Sequence, residues 1–220
     1  MPVDIRHKLL TEATRLFAER GVEGTSLQDI SAAVGVKKQS LLYHFPSKEA
    51  LHASVLEHLL SRWSEALPRL LKAAAREDRF DAILDETLSF FAEDRDRARL
   101  LLREALDRPD QMRDRLKQHA SPWLGVVAES IKKAQADGSM RSDVDADSWL
   151  LQIIQLVLGN FAFGSTLQVL LPAPARAPAH PSGQSIDKRL LSELKRMART
   201  SILNPAEPAR ETKSRSARAR

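Results

Sequence analysis

An all-α fold follows from three features of this 220-residue sequence. Apolar residues recur every three or four positions from one end to the other. No stretch shows a convincing period of two, the signature of a half-buried strand. Turn-forming residues (Gly21, Gly35, Pro46, Gly138) stand at the ends of successive periodic runs. The predicted architecture is an N-terminal three-helix unit containing a helix-turn-helix, followed by a larger helical domain.

The elements follow in order. Ile5, Leu9, Ala13, Leu16 and Phe17 lie on one face of a first helix that stops at Gly21. Thr25 and Ser26 come next, with Gln28 and Asp29 each three residues on, so either hydroxyl could open a capping box. A short helix carries Leu27, Ile30, Ala33 and Val34 and ends at Gly35. A second short helix spans roughly 38–45, with Leu41 and Phe45 one turn apart, and Pro46 breaks it. Ser47 then caps a longer helix from Lys48 to about Trp63. Amphipathic segments follow at 80–93, 95–107, 110–119 and 122–137, the last opened by Ser121 as N-cap with Pro122 in the first turn. Residues 146–171 form a long apolar helix and 186–203 a final one, separated by a Pro/Ala-rich linker at 172–185. The expected boundaries are 1–48 for the first domain, with the helix-turn-helix at 26–45, and 49–204 for the second. Residues 205–220 are expected to be a disordered basic tail.

Composition narrows the function classes. The hydrophobic share of 43% and charged share of 29% suit a chain with a substantial core. Without cysteine there are no disulfides or thiolate metal sites, which fits a reducing cytoplasm. The N-terminal stretch MPVDIRHKLL carries charges throughout and lacks a signal-peptide core. No run approaches 18 uninterrupted apolar residues, so no bilayer span is expected and the predicted location is cytoplasmic. The six histidines show no metal-ligand spacing, and Asp94, Asp96, Asp107 and Asp110 are interleaved with arginine as on a solvated face. There is no phosphate-cradling glycine loop and no nucleophile elbow. Neither a cofactor, a metal nor a catalytic residue is expected.

The net charge of +5 is a weak pointer to nucleic acid, because the tail accounts for most of it: Arg210, Lys213, Arg215, Arg218 and Arg220 stand against Glu207 and Glu211. Position is more telling. Two short helices joined by a glycine turn are the geometry that lays the second in a DNA major groove. The outer face of the second would carry Lys37, Lys38, Gln39, Ser40, Tyr43 and His44. Two lysines at a helix N-terminus oppose the macrodipole by roughly 0.3–1 kcal/mol each, and a nearby phosphate reverses that sign.

The run Gly21-Val22-Glu23-Gly24-Thr25-Ser26-Leu27-Gln28-Asp29-Ile30 resembles the TetR (tetracycline-repressor) family of bacterial regulators. So do Ala33-Val34-Gly35-Val36, Leu41, Tyr43-His44-Phe45 and Ser47-Lys48-Glu49-Ala50-Leu51. The chain departs from the family's pattern at Leu42, where a tyrosine is common, and at Lys37, where a small cap residue is. The resemblance implies that Gln39 and Ser40 approach base edges, with Lys38 contacting bases or phosphate and Lys37 in the same DNA-binding set. It assigns phosphate contacts to Tyr43, His44, Lys48 and the hydroxyls of Thr25 and Ser26. It also implies that residues beyond about 50 form a ligand pocket and a dimer interface, giving a ligand-responsive repressor that binds a palindromic operator as a homodimer.

The sequence supports an apolar interior for that region. Trp63, Phe90, Phe91, Met112, Trp123, Phe161 and Phe163 are large groups spread over successive helices, with His119, Gln155 and Asn160 as polar candidates. The named ligand set is Trp63, Phe90, Met112, His119, Trp123 and Gln155. Helices 146–171 and 186–203 are apolar over more than one stripe, as a homodimer surface would be. Two competing readings are an all-α enzyme acting on an apolar substrate within 60–165, and a DNA-binding scaffold whose core is fully packed.

Overall fold

The computed structural model describes residues 4–74, 79–170 and 183–204. These fold into α1 (Ile5–Arg20), α2 (Leu27–Val34), α3 (Lys38–His44), α4 (Lys48–Ala74), α5 (Arg79–Glu93), α6 (Asp96–Asp107), α7 (Pro109–His119), α8 (Ser121–Ala136), α9 (Ala146–Leu167) and α10 (Gly183–Ile202). A 3₁₀ turn, Gln168–Leu170, follows α9. Among the described residues there is no strand, only a single bridge between Met140 and Leu203. The expected tail at 205–220 and most of the linker lie outside the described residues.

The first three helices end where their local chemistry dictates. Asp4 caps α1 by accepting the Arg6 N–H at 3.0 Å, and Gly21 closes it at φ 77°. Of the two candidate caps for α2, the structure uses Ser26: its Oγ accepts the Asp29 N–H at 3.1 Å while Asp29 accepts the Ser26 N–H at 2.9 Å. Gly35 turns the chain at φ 78°, ψ 29°, the left-handed region that glycine adopts without steric cost.

Four boundaries differ from expectation, the first being α9, which ends at Leu167 and passes into the 3₁₀ turn instead of reaching 171 as a helix. Helix α4 runs past Trp63 and through Pro68 to Ala74, although an interior proline forfeits a hydrogen bond and costs about 3 kcal/mol. Tertiary packing overrides that: α4 lies along α5, with Arg62–Glu93 and Arg69–Glu86 ion pairs on either side of Pro68. Ser121 is the first helical residue of α8 rather than its cap, because Ala120 precedes it and α7 runs almost directly into α8. Helix α10 begins at Gly183, three residues early.

The helices bury two cores. One lies among α1–α4 (Leu9, Phe17, Ile30, Leu41, Phe45, Leu51) and continues along α4 to Leu60. The other fills the space among α4, α5, α8, α9 and α10, with Trp63, Phe91, Trp123, Val157 and Ile202 in it. Helix α6 belongs to both: Leu100 is fully buried in the first, Ala98 in the second, and Leu101 packs against each. By length and composition α9 is apolar enough to cross a bilayer, which the search for uninterrupted runs overlooked. In the fold its Leu150–Ile153–Val157–Phe161 stripe is buried in the second core instead. Helix α10 is registered antiparallel on α5 by the two pairs Arg199–Asp81 and Lys195–Asp85, over buried Leu194, Ala198 and Ile202.

Between the cores, Glu104 of α6 is buried and accepts a hydrogen bond from His52 Nε2 of α4 at 2.8 Å and another from Arg108 at 3.1 Å. An ionised carboxylate has no proton to give, so the imidazole must carry the hydrogen on Nε2. Burial by itself would raise the Glu104 carboxyl, but the hydrogen bond and charge of His52 together with Arg108 hold it below its ordinary range. A carboxyl lowered on folding stabilises the fold above its unfolded value of 4.5, and that contribution is lost as pH falls through the lower folded value. Glu104→Gln is therefore expected to lower stability at neutral pH by about 1.5–3 kcal/mol and to flatten the acid limb below pH 4.5, read by thermal melts across pH.

At Gly24, an added Cβ would lie 2.4 Å from the Arg20 carbonyl oxygen, so no side chain fits the α1–α2 turn. Gly24→Ala is expected to cost about 1–3 kcal/mol in chemical denaturation, with DNA affinity falling in step as α2 is displaced.

Candidate nucleic-acid interface and interior cavity

Helix α3 is held by its inner side and presents its outer side. Leu41 and Phe45 are buried against α1 and α2, and the Arg6 guanidinium covers the Phe45 ring at 5.3 Å. Lys37, Lys38 and Gln39 are exposed, Ser40 and His44 half-buried, and Tyr43 is 87% exposed with its ring edge-on to His44. Lys37 takes the cap position with extended backbone and no side-chain capping bond. Neither Lys37 nor Lys38 has an acidic partner among the described residues, so two ammonium groups crowd the positive end of a helix unneutralised.

The supporting residues divide. Lys48, at the start of α4, sits 3.6 Å from Glu23, which is also 3.6 Å from Arg108. Ser26 is exposed, but its hydroxyl both accepts from and donates to Asp29 in the capping box. Asp29 is thereby held below the usual carboxylate range, chiefly by the Ser26 hydroxyl. The expectation that Thr25 offers its hydroxyl to phosphate is overturned. Thr25 is 1% exposed and donates inward, within reach of the Gly21 and Leu16 carbonyls at 2.8 and 3.2 Å, where it ties the α1–α2 turn.

In the second core, α4, α5, α6, α7, α8 and α9 line a half-open cavity of about 350 Å³. Trp63, Phe90, Met112, His119 and Trp123, named from sequence, all line it. Trp63 is the hub: Phe90 stands edge-on at 4.6 Å and Trp123 tilts against it at 4.8 Å. Gln155 does not belong to the set. Helix α9 turns Leu151, Ile154 and Leu158 toward the cavity; Gln155, one turn from Leu151 and Leu158, lies at the edge of that face and lines, with Asn160 and Phe163, a groove against α10. Phe161 packs on Phe91 in the core. Thr87 and the rim cations Arg113 and Lys117 were not anticipated; isolated polar residues on amphipathic helices carry no signal that separates a cavity wall from a surface.

Comparison with known proteins bears on both halves. Residues 9–55 match the family of bacterial regulatory proteins, tetR family, and residues 76–185 match the tetracyclin repressor-like C-terminal domain. The HTH-type transcriptional repressor KstR2 of Rhodococcus jostii is 31% identical over 151 residues, covering 64% of this chain and 71% of that protein. The chain belongs to the TetR family. It is thus a DNA-binding transcriptional regulator rather than an enzyme. The fold agrees with solved members. The ketosteroid regulator KstR2 of Mycobacterium tuberculosis superposes with TM-score 0.62 at 19% identity, over 93% of this chain and 98% of that one. AibR, solved with isovaleryl coenzyme A and operator DNA, gives TM-score 0.62 at 18% identity, over 88% and 97%. In this TetR-family chain the family-matched N-terminal segment contains α3, and the C-terminal match contains most of the cavity wall.

Proposed function

We propose that this regulator is a cytoplasmic repressor that binds a palindromic operator as a homodimer and is released by a small apolar ligand. The observation that carries the DNA half is α3, whose exposed Lys37, Lys38, Gln39 and Tyr43 have no structural task in the chain. Gln39 and Ser40 read base edges, Gln suiting adenine through a bidentate pair. Lys37, Lys38, Tyr43, His44 and Lys48 contact phosphate, with Lys48 leaving Glu23 to do so. Ser26, exposed at the start of α2, adds a further phosphate contact. Residues 1–48 serve as the DNA-binding unit and 49–204 as the ligand-binding and dimerisation unit.

The dimer surface is the outer face of α9 with α10. Leu156, Phe163, Leu167 and Met197 are each about half exposed there and line one groove, an apolar patch that a single chain leaves open to water. A twofold axis through it would set two copies of α3 about 34–36 Å apart, one turn of duplex. The cavity supplies the ligand site, and α6, shared by both cores, carries its state to α1–α4. Coupling of that kind is commonly about 1–3 kcal/mol.

DNA selected from a random pool, followed by titration of variants, tests the reading. Gln39→Ala is expected to relax preference at one base position at a cost of about 1–3 kcal/mol. Lys48→Ala is expected to weaken all sequences alike and reduce the salt slope by about 0.9. Unchanged binding by Gln39→Ala at every operator position removes the reading role. Phe163→Glu is expected to convert the dimer to monomer in analytical ultracentrifugation and to reduce operator affinity at least tenfold, because each half-site then binds alone.

A further inference from the structure

Resting on the reading of the cavity as the ligand site, we propose that its ligand carries a neutral carbonyl oxygen, held between the indole N–H groups of Trp63 and Trp123. The chain has three tryptophans, and the contrast among them carries the inference. Trp149 Nε1 donates to Ser201 Oγ at 2.8 Å, as an indole N–H ordinarily finds a partner. Trp63 and Trp123 are 8% and 6% exposed, and neither Nε1 meets an acceptor among the described residues. Buried donors without partners are rare enough that each requires a reason. Here both belong to rings 4.8 Å apart that line the same cavity.

The chemistry of the partner follows from the donor. An indole nitrogen only donates, so what it meets must accept. Most of the remaining wall is hydrocarbon, from Leu60, Phe90, Phe91, Leu124 and Val157, and the Thr87 hydroxyl within it already donates to the Ile83 carbonyl. A carboxylate among such groups would be stripped of water without a compensating charge. The cations of the lining are exposed ones: Arg113 is paired with Asp110, and Lys117 lies in solvent. His119 Nε2 is also buried without a hydrogen bond, but Glu57 stands 3.5 Å from it and would repel an anion there. A ketone, ester, thioester or amide oxygen satisfies two donors and brings no charge. The ligand class is an apolar skeleton bearing such a carbonyl.

The test compares two probes that differ by one group, 1-tetralone and tetralin, by isothermal titration calorimetry on the full chain. The wild type is expected to bind 1-tetralone at least about tenfold more tightly than tetralin, since rejection of the hydrocarbon reflects donors left unpaired. Trp63→Phe and Trp123→Phe are each expected to shrink that ratio severalfold, whatever they do to the affinity for tetralin. In case either variant fails to fold, indole N–H resonances of the isotope-labelled wild type provide a second readout. Those of Trp63 and Trp123 are expected to move downfield with 1-tetralone while that of Trp149 stays. Equal affinities for the two probes, a ratio unchanged in both variants, or unmoved Trp63 and Trp123 signals overturn the carbonyl assignment and leave the cavity as an apolar site. If neither probe binds, the cavity's role as a ligand site falls with it.

Discussion

The two halves of this molecule are related by α4, which runs through both cores, and by the seating of α6 on α1 and α9, fixed to α4 through one buried bond. Helix α6 gives Leu100 to the DNA-binding core and Ala98 to the cavity core, and Leu101 touches both. Apolar packing of this kind sets how close the helices lie but is forgiving about sliding. The buried Glu104 carboxylate is not forgiving. It must keep the hydrogen bonds from His52 and Arg108, because an unpartnered charge at that depth would be far more costly than a lost contact. One register of α6 on α4 meets that requirement, and the orientation of α1–α3 relative to the cavity follows from it.

From the same point a chain of charges leads to the DNA-facing surface. Arg108 joins Glu104 to Glu23, and Glu23 reaches Lys48 at the start of α4. The outer links are long and solvated, so they add little to stability. Their significance is positional. A residue assigned to phosphate and a residue on the α6–α7 junction share one carboxylate, so a shift at the junction alters the field at Lys48 without any rearrangement of the core.

The cavity and the apolar groove against α10 lie on different sides of α9. With 3.6 residues per turn, Leu151, Ile154 and Leu158 share one side, while Leu156, Gly159 and Phe163 share the other. Gly159 matters on the groove side, since a Cβ there would come within 3.1 Å of the Phe163 ring. The absent side chain leaves room for that ring beside the helix, at the wall of a shallow apolar channel.

The sequence by itself determined whatever depends on neighbours a few residues apart. Ser26 faces Asp29 within one helical turn, Gly35 must turn with positive φ, and Leu41 and Phe45 fall on one side of α3, so the exposed side was legible from spacing alone. The existence of each helix was legible for the same reason. Tertiary structure decided the rest. Two adjacent hydroxyls looked equivalent in sequence, yet only packing against the Leu16 and Gly21 carbonyls turned Thr25 inward. Contact with α5 carried α4 through Pro68, where local propensity would have stopped it. Gln155 and Trp123 were equally plausible walls until packing left Gln155 of α9 in a groove and brought Trp123 of α8 into the cavity. The reason is range: caps and turns are settled by bonds within a turn of helix, whereas a cavity is the space left between helices, and its walls are known only once those helices have packed.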